Sequence, residues 1–99
     1  MIQAIHHLQV TVPKADEARA REFYLHHLGL TEIPKDPKAC QGGFWTKIER
    51  VELHVSLEEG VDRQKTRSHV CFLVEDLEIV KKGFESLGIQ SQAGHRLTG

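Results

Sequence analysis

The order strand, cap, amphipathic run, glycine and aliphatic residue occurs twice in this chain, and it constrains the fold more than any other feature of the sequence. IHHLQVTV is followed by FYLHHLGL, and SHVCFLV is followed by FESLGI; His69 comes 62 residues after His7, and Gly88 comes 59 after Gly29. A duplicated strand–helix unit implies an α+β architecture of two related modules. In the first copy, Leu8, Val10 and Val12 alternate with His7, Gln9 and Thr11, the period of a half-buried strand. Pro13 stops the strand and Asp16 is the expected N-cap. Ala20, Phe23, Tyr24, His27 and Leu28 then recur at helical spacing until Gly29.

A short strand at Leu30 to Ile33 and a Pro/Gly-rich loop over Lys35 to Gly43 come next. Phe44 to Ile48 and Val51 to Leu57 read as a hairpin turning at Glu49 and Arg50, with Val51, Leu53, Val55 and Leu57 opposite Glu52, His54 and Ser56. The charged stretch Glu58 to Arg67 connects the halves. The second copy predicts a fifth strand over Ser68 to Val74, a helix capped by Asp76 and bearing Leu77, Val80, Phe84 and Leu87, and a further strand over Ile89 to Gln92. The expected fold is therefore a βαβββ module followed by an incomplete second module, βαβ, in one domain over residues 1–99. Module one covers about 1–60 and the partial second about 66–99, because no second hairpin follows.

Ninety-nine residues suffice for one small core and not for a separate cofactor domain. A net charge of -1 gives no electrostatic footprint for nucleic acid or anionic lipid, and no apolar run reaches bilayer length. The expected partners are small molecules, with no nucleic acid and no membrane, and the N-terminal segment lacks a secretory pattern, which points to the cytoplasm. Cys40 and Cys71 form no CxxC pair and are read as reduced core thiols.

Seven histidines are the compositional anomaly, several of them in strand-like segments where an imidazole needs a hydrogen-bond partner or a metal. Strand parity puts His7, either Glu52 or His54, and His69 on the faces opposite their strands' apolar stripes. Those faces would line the concavity of a curved sheet. Imidazole and carboxylate donors together suit a divalent ion such as Zn, Ni, Fe, Mn or Co, acting as a Lewis acid. Equally, polar residues belong on any solvated sheet face. His6 has the opposite parity and is read as a strand-edge residue.

The set Ile5, His7, Leu8, Val10 and Val12, then Phe23-Tyr24, Leu28-Gly29-Leu30, Val51-Glu52-Leu53, Ser68-His69-Val70 and Val74, Asp76 and Leu77 resembles the glyoxalase/bleomycin-resistance/dioxygenase (vicinal oxygen chelate) superfamily. The resemblance spans nearly the whole chain. It implies a glyoxalase-like curved mixed sheet with helices on its outer face, around a metal-binding cleft. Position by position it makes His7, Glu52 and His69 metal ligands, with His54 the alternate for the second. The fourth ligand of metal-dependent relatives, a Glu in an Asp-Pro-x-Gly-x-x-x-Glu segment, has no match from Gly83 to Gly99, and His95 is read as a solvated residue rather than its substitute. The resemblance thus implies a lyase or dioxygenase type, with little or no turnover here because the last ligand strand is missing through truncation, supply by a partner chain, or a metal-free way of life. An unpaired sheet edge favours a homodimer or higher homo-oligomer. The rival expectation is a metal-free protein that sequesters a small molecule such as an antibiotic. Tyr24, Phe44 and Trp45 would offer stacking surface, one of the adjacent pair Phe44 and Trp45 being core.

Overall fold

The computed structural model describes residues 1–39 and 41–92. Four strands form one mixed sheet in the order β1-β4-β3-β2, with β1 His7–Val12, β2 Thr31–Ile33, β3 Phe44–Ile48 and β4 Val51–Leu57. β1 runs parallel to β4, and β2–β3 and β3–β4 are antiparallel. The expected hairpin is present with the expected bounds, and Glu49 turns it at φ 55, the left-handed backbone that a two-residue connection requires. This is the α+β, mixed-sheet architecture anticipated from the sequence.

Register carries the apolar stripes across the sheet. Phe44 stands opposite Val55 and Thr46 opposite Leu53, while Leu53 and Val55 stand opposite Leu8 and Val10. Val10, Val12, Phe44, Leu53 and Val55 are buried on the side covered by the first helix, which contributes Ala20, with Tyr24 and Leu25 packed against that core. Phe44 is thus the core member of its pair, and Tyr24 lies against it, ring centroids 6.3 Å apart. Tyr24 is therefore a core-side residue rather than part of any surface on the opposite face.

The first helical segment departs from a uniform helix capped at Asp16. A 3₁₀ turn over Lys14–Asp16 leads into α1, Glu17–Arg21, and the chain then widens into a π-helical stretch, Glu22–His27. The side chain of Asp16 makes no capping bond, because the turn starting at Lys14 has already opened the helix one residue after Pro13. The π turn sets His27 beside Glu22, five residues earlier, at 3.5 Å. Gly29, at φ 72, ends the segment, and the Leu30 amide donates back to the Tyr24 carbonyl.

The second half gives one regular element among the described residues, α2, Leu77–Ser86. Asp76 caps it as expected, its carboxylate accepting from the Glu78 and Ile79 amides at 3.0 and 3.3 Å. Gly88 follows the helix at φ 77. Neither the predicted fifth strand, Ser68 to Val74, nor the predicted strand from Ile89 to Gln92 is present as a strand. Alternation selects a face, but a strand also needs a hydrogen-bonded neighbour, and among the described residues β1 pairs only with β4. α2 meets the first helix through Phe84 against Phe23, 6.0 Å between rings, and leaves Leu77, Ile79 and Leu87 exposed.

Candidate functional site

The polar face of the sheet is built from two neighbouring rows of residues. In one, Lys47, Glu52 and His7 stand side by side on β3, β4 and β1; in the next, Trp45, His54 and Gln9 do. Because β1 and β4 run parallel and in register, His7 faces Glu52 directly, and His54, two residues on, shares their side. Parity correctly placed all three on one face.

Their geometry is more ordered than a solvated face requires. The His54 ring lies flat against the Trp45 indole, centroids 3.9 Å apart and planes 1° from parallel. His7 stacks on His54 at 4.5 Å and 12°, and His6 meets His7 edge-on at 5.2 Å. His54 Nε2 bonds the Glu52 Oε1 at 2.9 Å, and the histidine is only 5% exposed. That N–H donation holds the Glu52 carboxyl below its ordinary value, against a smaller opposing effect of desolvation and with further help from the charges of His6, His54 and Lys47. His6 Nδ1 lies 3.0 Å from His7 Nδ1, so one of the two rings carries its proton there.

The remaining expected ligand is elsewhere. His69 is exposed, its Nδ1 2.9 Å from the Arg67 carbonyl oxygen. It lines a cavity of about 150 Å³ with Leu8, Gln9, Thr11 and Arg63, near the free side of β1 and apart from Glu52. The structure thus gathers His7, Glu52 and His54 and does not bring His69 to them. Among the described residues no group of three or more His, Cys, Asp and Glu side chains is arranged to hold a metal ion. His95 and Cys40 lie outside the described residues, and Cys71 is a free, exposed thiol rather than a core residue.

A divalent ion can be tested against these donors. Two donors are of the right kind, His7 and Glu52 being an imidazole and a carboxylate at matched positions on adjacent strands, but the described residues bring no third donor to them. His7 and His54 cannot serve together, because lone pairs lying in two stacked, nearly parallel ring planes do not converge on one point. The role of Trp45 as a cover for His54 escaped the sequence reading. The signal was available, since a hairpin turning at Glu49 and Arg50 sets Trp45 opposite His54.

A second concavity, of about 1010 Å³, lies on the other side of the sheet between the first helix, the Val61–Gln64 connection and Ile89. His27 points a buried Nδ1 without a partner among the described residues. Tyr24, at the same cleft, has its phenol pushed up by burial, with the charge of Arg63 pulling the other way.

Among solved structures, the chain is similar to a glyoxalase family protein from Bacillus anthracis, with 34% identity and a TM-score of 0.79 over 91% of this chain and 74% of that one. The chain belongs to the glyoxalase family. The fold recurs in a lactoylglutathione lyase from Agrobacterium tumefaciens, 23% identical with a TM-score of 0.66 over 98% of this chain and 79% of that one. It recurs again in a bleomycin resistance determinant encoded on transposon Tn5, 19% identical with a TM-score of 0.56 over 96% and 72%. These neighbours bear out the vicinal oxygen chelate resemblance. No protein-family model and no curated protein matches the chain. Among the described residues no helix is long and apolar enough to cross a membrane.

Proposed function

We propose that this glyoxalase-family chain binds a small molecule at its polar sheet face with the help of a divalent ion held by His7 and Glu52, with His69, which lies apart from them among the described residues, as a third donor that would have to be drawn to that face. The register that sets His7 directly beside Glu52 carries the reading, since it supplies an imidazole and a carboxylate from different strands to one place. His7 Nδ1 is engaged by His6, leaving Nε2 as its donor atom, the arrangement in which a ligating ring is oriented through its other nitrogen. Bound there, Zn, Ni, Fe, Mn or Co would supply Lewis acidity toward substrate oxygens.

The chain's own residues do the rest: Trp45 stacks on the buried His54 at one side of the site, and Lys47 adds a positive charge beside Glu52. The reaction class in this reading is a lyase or dioxygenase type, and little lyase turnover is expected because no donor beyond these three is assigned. Self-association into a homodimer or higher homo-oligomer accompanies it.

A metal-free sequestering role is the second reading, favoured by one observation. The column Trp45, His54, His7 is a run of near-parallel rings, and in this reading a flat ligand stacks on the end of that column.

Metal analysis of the purified protein separates the two. About one ion per chain, lost in both His7→Ala and His69→Ala, is expected for a site with few protein donors. A wild-type protein without stoichiometric metal would sink the metal reading and leave the sequestering one.

A further inference from the structure

We propose that the cleft on the helix side of the sheet binds a neutral, hydroxylated ring compound that donates one hydrogen bond to His27 Nδ1. This site is separate from the polar face and stands or falls without it. The cleft has a volume of about 1010 Å³, at the upper end of what a drug-sized ligand occupies. Val12, Pro13, Phe23, Val61 and Ile89 make much of its wall apolar. Against that wall His27 keeps a ring nitrogen that is buried and, among the described residues, without a hydrogen-bond partner. A buried polar atom left in that state costs stability, which a ligand that satisfies it returns on binding.

The helix is shaped around this group. The π-helical stretch Glu22–His27 is a departure from regular geometry that is frequent at functional sites, and it sets Glu22 Oε1 3.5 Å from His27 Nε2. A carboxylate on that side favours the proton on Nε2, which leaves a lone pair on Nδ1. Phe23 meets the imidazole edge-on, 6.4 Å between centroids and 89° between planes, and holds the ring in place. The buried atom is therefore a fixed acceptor, and its complement is an O–H or N–H.

Charge selects the rest of the ligand. Asp16, Glu22 and Asp62 stand at the cleft with Arg19 and Arg63. Arg19 lies 3.8 Å from Asp16, and Arg63 donates to the Ser68 hydroxyl and carbonyl oxygens. Carboxylates outnumber guanidinium groups there, so an anion is disfavoured. Burial keeps the Tyr24 phenol neutral, so this part of the wall adds a polar group without a charge. An apolar wall with one acceptor and one phenol matches a ring that carries a hydroxyl.

Three probes of one size and different polar ends test this: β-naphthol, its methyl ether and β-naphthoate, each titrated into the protein at neutral pH and followed by NMR. Tyr24 and Trp45 are the sole tyrosine and tryptophan, so their ring signals report the two sides of the sheet. Naphthol should shift Tyr24 and leave Trp45 in place, and should bind about tenfold tighter than the ether or the naphthoate. His27→Phe keeps a ring and removes the acceptor, and naphthol should then bind no better than the ether. Ala18→Phe, on an exposed turn of the helix at the cleft, should weaken all three probes.

Absence of saturable naphthol binding, or shifts at Trp45 instead of Tyr24, would overturn the site. Equal affinities for naphthol and its ether in the wild type, a preference that survives His27→Phe, or unchanged affinities in Ala18→Phe would overturn it too. A naphthol affinity that rises as the protein is diluted would mean that a second copy of the chain occupies the cleft, and would overturn the small-molecule assignment.

Discussion

Glu52 and Tyr24 show how single side chains report the two sides of the sheet. The His54 N–H stabilises ionised Glu52, so the folded chain binds fewer protons there than the unfolded chain near and below the ordinary value of 4.5. The resulting stability is present above that ordinary value and is lost as pH falls through the lower folded one. Thermal unfolding followed from neutrality into acid should therefore show a decline that Glu52→Gln flattens; identical acid limbs would remove the Glu52–His54 bond from the account. Tyr24 behaves in the opposite sense, because burial disfavours its phenolate. It is the sole tyrosine, so absorbance titration reads it alone, and ionisation is expected above the ordinary 10.0. Its contribution to stability is whole below that value and is lost as pH rises through the folded one.

Among the elements, the loop entering β3 and the cap of α2 make separable demands on sequence. Gly43 adopts φ 77, donates its amide to Glu17 Oε2 at 2.8 Å, and stands so close to β4 that a Cβ would collide with the Val55 carbonyl oxygen. Gly43→Ala combines left-handed strain with that collision and should cost at least about 1–3 kcal/mol, read as a lower urea midpoint. Asp76→Ala removes an exposed cap and should cost about 1 kcal/mol of helix stability, seen as reduced helical circular dichroism. A loss at Asp76 equal to that at Gly43 would mean that α2 is coupled to the sheet more tightly than Phe84 against Phe23 suggests. The Asp76 cap and the hairpin bounds were legible in the sequence because they depend on neighbours a few residues apart, whereas the expected Asp16 cap was displaced by the turn at Lys14. The strand expected over Ser68 to Val74 was not decidable that way, since its existence depends on a partner edge.

At the scale of the whole molecule, the exposed large apolar residues among those described fall in two stretches, Met1, Ile2, Ile5 and Leu8 at the start and Leu73, Val74, Leu77, Ile79 and Leu87 in the second half. Leu73, Leu77, Ile79 and Leu87 are open to solvent, and among the described residues no strand pairs with the outer edge of β1. Exposed apolar surface beside an unpaired edge favours association. Sedimentation velocity at micromolar concentration is expected to show a dimer or larger species, and a stable monomer would contradict this.

What the sequence determined by itself was the local and the one-sided: the alternation of β1 and β4, the hairpin and its turn, Asp76 and the two helix-ending glycines. It also placed His7, Glu52 and His54 on a common face, because a period of two is enough to choose a side. Tertiary structure decided which of those groups touch. The parallel register of β1 on β4 set His7 beside Glu52, and the hairpin register laid Trp45 over His54. Those pairings buried His54, the alternate ligand, against Trp45 and bonded it to Glu52. His69 had the right parity within its own segment but no strand ladder to carry it to Glu52, and distance between segments is a property of pairing, which no periodicity along one chain contains.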